Sequence, residues 1–166
     1  TEYSDTNGSL FDAEFYVLTS DYNVYKCLFN NNGAASTTQP TGTSTSVSTT
    51  ADGYKWKYMY TVTAGEALKF LTTDFMPVVT DSTVSAAAVN GSVQVIKVIN
   101  GGSGYSHAPN VIISGDGANC TATAAISGGA VTSITVTNVG SGYKKASVSF
   151  DAGSATAKAV ISPVGG

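Results

Sequence analysis

One histidine, two cysteines, two Gly-Ser-Gly-Tyr tetrapeptides and one aromatic-rich stretch are the places where this sequence could do chemistry. His107 stands in Tyr105-Ser106-His107-Ala108-Pro109, just past a glycine-rich turn, where an imidazole could act as a general base. No Gly-x-Ser-x-Gly elbow or other activating motif accompanies it, so it reads as a loop side chain without carboxylate or nucleophile in reach. One histidine and two distant cysteines, Cys27 and Cys120, cannot furnish a four-ligand zinc set, and no acidic loop has calcium-binding spacing. The cysteines read as two buried thiols of a reducing compartment, with a disulfide as the alternative. The expectation is a protein that is not an enzyme, with no catalytic residue, metal or cofactor.

Two glycine-rich turns invite a phosphate-binding reading. Neither Gly102-Ser103-Gly104-Tyr105 nor Gly140-Ser141-Gly142-Tyr143 leads into a helix, however, and without a helix N-terminus the anion-binding logic fails. In a structural reading Gly102, Gly104, Gly140 and Gly142 permit positive φ, while Tyr105 and Tyr143 cover the end of a core. Tyr54, Trp56, Tyr58 and Tyr60 alternate along one strand, with Lys55, Lys57 and Met59 between them. Such a row can stack on sugar rings, which is the carbohydrate-binding or adhesin alternative. It suits a core or a subunit interface better, since aromatics dominate both.

The elements that position these residues predict a mainly β fold. Val93 to Tyr105 and Val131 to Tyr143 are copies of one pattern, sharing Val93/Val131, Ile96/Ile134, Val98/Val136, Asn100/Asn138 and the whole tetrapeptide. Each copy continues into a short apolar run (Val111-Ile112-Ile113 or Val148-Ser149-Phe150), a turn, and a small-residue strand (Thr121 to Ile126 or Thr156 to Ile161). The spacing between copies shrinks by three residues on the way, so loops differ. Units this small bury little alone, so a sandwich or prism-like module of two tandem three-stranded repeats is expected over 84–166, with repeats at about 92–126 and 130–161. Val84 to Val89 reads as a stray strand ahead of the first copy.

Over residues 1–83 a second β region is expected, with strands at Phe15–Leu18, Val24–Phe29 and Tyr54–Val62. One short helix follows, because Thr63-Ala64-Gly65-Glu66 has capping-box spacing. Phe75 to Val79 returns to extended structure, and Pro77 suggests a sheet edge. The polar stretch 31–50 cannot form a core and reads as a flexible loop or an arm ordered by a partner.

Charge narrows the partners. All eight basic residues are Lys, net charge is −3, and the first 21 residues hold Glu2, Asp5, Asp12, Glu14 and Asp21 without a base. Nucleic-acid recognition leans on Arg forks and basic patches, so none is expected. No apolar run is long enough to span a bilayer, so membrane insertion is not expected either. Thr1 and the turn-like Ser162-Pro163-Val164-Gly165-Gly166 suggest a piece of a longer polypeptide.

Three segments carry a family resemblance: Tyr25-Lys26-Cys27-Leu28-Phe29-Asn30-Asn31-Asn32-Gly33-Ala34, Asp52-Gly53-Tyr54-Lys55-Trp56-Lys57-Tyr58-Met59-Tyr60, and Lys69 to Val78. They resemble a baseplate wedge subunit of T4-like, cyanophage-type, contractile-tailed bacteriophages, over roughly residues 15–80. The resemblance implies a virion structural protein that scaffolds neighbouring tail and baseplate proteins. It also implies a homodimer, assembled in the bacterial host cytoplasm and located in the tail baseplate. It brings no catalytic residues.

Overall fold

A computed structural model describes residues 15–163. The expectations placed on Glu2, Asp5, Asp12, Glu14 and Val164-Gly165-Gly166 lie outside them. The fold is mainly β, with ten strands and two short helices among the described residues. The chain divides after Ala87 into two compact units.

In the first unit, β1 (Tyr16–Leu18), β2 (Asn23–Phe29), β3 (Ser48–Thr49) and β4 (Lys55–Thr61) form an antiparallel sheet in the order β1-β2-β4-β3. A tight connection joins β1 to β2, closed by Tyr22 N–H donating to the Thr19 carbonyl (3.0 Å), with Tyr22 itself at φ 58°. Along β2 and β4 the pairing is Cys27 with Trp56, Tyr25 with Tyr58, then Val24 with Tyr60. One residue of β2 is thus matched by two of β4, so Met59 is the extra residue of a bulge. A bulge shifts the phase of the pleat, and side chains beyond it change face.

The helix expected at the capping box is α1 (Ala64–Phe70). Thr63 Oγ1 accepts from Glu66 N–H while the Glu66 carboxylate accepts from Thr63 N–H (2.8 Å). A second helix, α2 (Ser82–Ala86), replaces the strand read at Val84–Val89. The Asp81 carboxylate caps it by accepting from Thr83 N–H (2.9 Å) and Val84 N–H (3.0 Å). Val84 then packs onto the first unit's aromatic core. Cap and packing together outweigh the β preference of these residues, and they carry the division of the chain four residues beyond the expected 83/84. Phe75–Val79 joins no sheet; Tyr60 Oη donates to the Pro77 carbonyl there (3.1 Å).

The second unit holds β5 (Val93–Asn100), β6 (Val111–Gly115), β7 (Ala118–Ser127), β8 (Ala130–Ser141), β9 (Ala146–Phe150) and β10 (Thr156–Ile161). One sheet runs β5-β10-β9-β6 and a second pairs β7 with β8. The two copies are equivalent but not separate. The first strand of each copy pairs with the last strand of the other: β5 with β10, and β8 with β7. Registers match residue for residue. Val93 faces Ile161 as Val131 faces Ile126, Ile96 faces Ala159 as Ile134 faces Ala124, and Asn100 faces Thr156 as Asn138 faces Thr121. Even the irregularities recur at equivalent positions, Thr156/Ala157 with Thr121/Ala122 and Val160/Ile161 with Ala125/Ile126.

Between the middle strands Ile113 faces Val148, flanked by Val111 with Phe150 and Gly115 with Ala146. This places an approximate two-fold axis through the Ile113/Val148 pair and makes Val111 equivalent to Ala146, not to Val148 as the sequence match had it. The three-residue difference therefore lies wholly in one loop: Ser106-His107-Ala108-Pro109 separates Tyr105 from Asn110, where Lys144 alone separates Tyr143 from Lys145. Val93, Ile96, Val131, Ile134 and Tyr143 form the buried centre shared by both copies.

Candidate functional site

The aromatic row is interior, not surface. Tyr54, Trp56, Tyr58 and Tyr60 are each at most 7% exposed. Tyr54 stacks on Trp56 (centroids 5.6 Å apart, planes 17°), Phe15 meets Trp56 edge-on (5.8 Å), and Tyr25 meets Tyr58 likewise (5.8 Å). Edge-on and stacked pairs of this kind add to what area burial alone supplies. The bulge at Met59 divides the row: Tyr54, Trp56 and Tyr58 pack with Tyr25 and Cys27, while Tyr60 joins Val24 and Val62 on the other side. Burial raises the phenol pKa of Tyr25, Tyr54, Tyr58 and Tyr60. Trp56 Nε1 is buried and has no hydrogen-bond partner among the described residues.

The polar stretch 31–50 is hydrogen-bonded to its own unit. It still contributes little apolar core; its backbone is satisfied by side chains. Tyr25 Oη donates to the Gly42 carbonyl (2.6 Å) and Tyr54 Oη to that of Ala34. Asp52 gathers the rest. Its carboxylate accepts from Thr50 Oγ1, Thr37 N–H (2.8 Å), Ser36 Oγ (2.9 Å) and Thr38 N–H (3.0 Å). These donors, the Thr50 hydroxyl first among them, hold the Asp52 carboxyl far below the usual carboxylate range. Asn31 and Asn32 adopt positive φ in a 3₁₀ turn, and Asn31 Nδ2 donates to the Asp52 carbonyl (3.0 Å).

Both Gly-Ser-Gly-Tyr turns are structural joints. Gly102, Gly104, Gly140 and Gly142 all have φ between 59° and 80°. Asn100 Oδ1 accepts from Gly102 N–H (2.8 Å) as Asn138 Oδ1 accepts from Gly140 N–H (3.0 Å). Each tyrosine reaches into the other copy. Tyr105 Oη accepts from Ala155 N–H (3.0 Å) and donates to the Ala152 carbonyl, while Tyr143 Oη accepts from Cys120 N–H (3.4 Å). Asp116 and Asp151 mirror one another too, accepting from Lys145 N–H and Asn110 N–H respectively, each at 2.9 Å.

His107 sits exposed in the longer of the two post-tyrosine loops. Ser106 Oγ lies 3.1 Å from its Nδ1, so a hydroxyl does stand within reach, contrary to expectation; it belongs to the neighbouring residue and is itself exposed. No described carboxylate hydrogen-bonds to the ring, and Asp116 is engaged with the Lys144 and Lys145 amides. Cys27 and Cys120 lie in different units, Cys120 only half-buried, and no disulfide joins them. Among the described residues no three His, Cys, Asp or Glu side chains gather as a metal site, and no helix is long and apolar enough to cross a membrane.

Among the described residues of the first unit are two grooves of note. One runs past Tyr16, Met59, Tyr60, Phe75, Met76 and Val78. Two of its lining side chains stand in solvent, Val78 at 83% and Phe75 at 74% exposed, and on α1 Leu68 is 89% and Phe70 59% exposed. The other groove lies between β1 and residues 36–40, over Tyr54 and Trp56. Neither was legible in the sequence, because Leu68 and Phe70 follow a helical pattern that looks like core. Comparison with protein-family models, curated proteins and solved structures finds no match.

Proposed function

We propose that this chain is a structural, assembly-forming protein, a baseplate wedge component of a contractile phage tail that scaffolds neighbouring subunits. The observation that carries the reading is the exposure of Phe75 and Val78 in a methionine-lined groove, with Leu68 and Phe70 also exposed on the preceding helix. Exposed apolar surface lining a groove suits an interaction site in a folded protein, and methionine suits adaptable docking surfaces. The phage context rests on the resemblance of residues 15–80, and the partners it implies are other tail and baseplate proteins. A carbohydrate platform on the Tyr54–Tyr60 row is disfavoured, since a ring less than a tenth exposed offers no face to a sugar.

The test is incorporation. Leu68→Ser/Phe75→Ser replaces two side chains that touch little in the unit, so folding should persist while entry into tail particles, followed by immunoblot of purified particles, drops severalfold. Wild-type incorporation of the double variant would sink the proposal, as would absence of the wild-type chain from particles.

A further inference from the structure

The face of the first sheet opposite the aromatic core concentrates positive charge. Lys26 on β2 and Lys57 on β4 are direct cross-strand partners, and like charges so placed destabilise a sheet. Both are buried, at 9% and 8% exposure. Lys55, half-buried and two positions along β4 from Lys57, shares the face. Lys57 makes no hydrogen bond or ion pair with any described residue. Burial first, and Lys26 second, lower its pKa. Lysine stems can lie along apolar surface with the ammonium at the rim, but two ammonium heads drawn from water side by side call for an anion to offset them.

The described carboxylates of this unit with assigned partners are spent elsewhere: Asp52 holds residues 37 and 38, while Glu66 and Asp81 cap helices. Cover for the face is also incomplete. Ala67, Met76 and Val79 pack over one end of it, against Val24, Tyr60 and Val62. At the other end Leu28 is buried (6% exposed) yet joins none of the apolar clusters of the described residues.

The missing charge stands in the sequence just ahead of β1. Residues 1–14 hold Glu2, Asp5, Asp12 and Glu14 and no base. They join the unit beside the lysines: the Phe15 carbonyl accepts from Cys27 N–H (2.8 Å), and Tyr16 pairs with Lys26. Period-two alternation counted back from Tyr16 assigns Glu14 and Asp12 to the face of Lys26 and Lys57. We propose that this lysine face is a docking surface for the chain's own acidic segment 1–14, which sets carboxylates against the Lys26–Lys57 pair.

Acetylation by N-hydroxysuccinimidyl acetate, read peptide by peptide by mass spectrometry, tests this in the full chain, because only the neutral amine reacts. Glu2→Gln/Asp5→Asn/Asp12→Asn/Glu14→Gln removes the carboxylates and keeps length and shape. Loss of a nearby opposite charge lowers an amine's pKa and raises its neutral fraction about tenfold. Acetylation of Lys57 should rise by that factor, with the exposed Lys158 of the second unit unchanged. The urea midpoint, followed by the single tryptophan Trp56, should fall in the quadruple variant and recover when Lys57→Met is added. Unchanged acetylation of Lys57 overturns the proposal, as does a midpoint loss that Lys57→Met does not relieve. Protection of Lys57 that grows with protein concentration would assign the carboxylate to a second copy and overturn it too.

Discussion

The two glycines of each Gly-Ser-Gly-Tyr turn share positive φ but differ in surroundings, and that difference is measurable. A Cβ at Gly140 (φ +59°) would lie 2.4 Å from the Ala118 carbonyl oxygen and 2.6 Å from Cys120 N, both main-chain atoms of the paired strand. At Gly104 (φ +80°) a Cβ would meet nothing within 4 Å. Gly104→Ala therefore adds only the left-handed backbone cost, about 1–2 kcal/mol. Gly140→Ala adds to this the forced displacement of β7 from β8, about 1–3 kcal/mol for an overpacked site, so about 2–5 kcal/mol altogether. The approximate two-fold sharpens the test. Gly102 (Cβ 2.8 Å from Ala155 N) should behave like Gly140, and Gly142 (nearest atom 3.9 Å) like Gly104. Urea unfolding followed by hydrogen exchange on peptides covering Ala118–Ser141 would measure both classes. Equal losses at Gly104 and Gly140, or a costlier Gly104, would refute the steric argument, and unlike losses at Gly102 and Gly140 would refute the equivalence of the two turns.

Asp52→Asn should speed amide exchange at Thr37 and Thr38 selectively, read by NMR, because the amide cannot replace a carboxylate accepting from five donors. Because folding lowers the Asp52 pKa, its contribution is present above the ordinary carboxylate value near 3.9 and is lost only as pH falls through the lower folded value. The arm should therefore stay protected well into acid. In alkali the sign reverses for Tyr25, Tyr54, Tyr58 and Tyr60: their raised pKa values favour folding below about pH 10, and the advantage disappears as pH climbs through the folded values. Phenolate absorbance from these four should appear late and together with unfolding; a gradual rise in the folded protein would count against their burial. Ser162→Ala should cost about 2–3 kcal/mol at roughly 1 kcal/mol per lost bond, since Ser162 Oγ donates to the Val89 carbonyl (2.8 Å), accepts from Ser92 N–H (3.0 Å) and bonds Ser92 Oγ (2.9 Å). Chemical denaturation would show a loss below 0.5 kcal/mol, the small end of a surface effect, if that network were idle.

Local chemistry is what the residues announced. Thr63 and Glu66 sit at the spacing that caps a helix, and the helix is there. Alternation in 15–29 and 54–62 gave strands, since period two is a property of the strand itself. Two copies of Gly-Ser-Gly-Tyr gave two equivalent turns, because glycine alone adopts those φ values without strain. By themselves, then, the residues determined most of the strands, one helix, the repeat and the turn geometry.

Tertiary structure decided the rest. Period-two alternation puts Tyr54, Trp56, Tyr58 and Tyr60 on one face, but the bulge at Met59 exists only in the pairing of β4 with β2, so Tyr60 changes sides. Repeat patterning could not tell a strand's own copy from its twin, because both present the same residues; only closure around Ile113 and Val148 sends β5 to β10 and β8 to β7. Composition marked 31–50 as unable to pack, which is true of its side chains. What anchors it is a distant carboxylate and two phenol hydroxyls, contacts 14 to 20 residues away in sequence that no local pattern encodes.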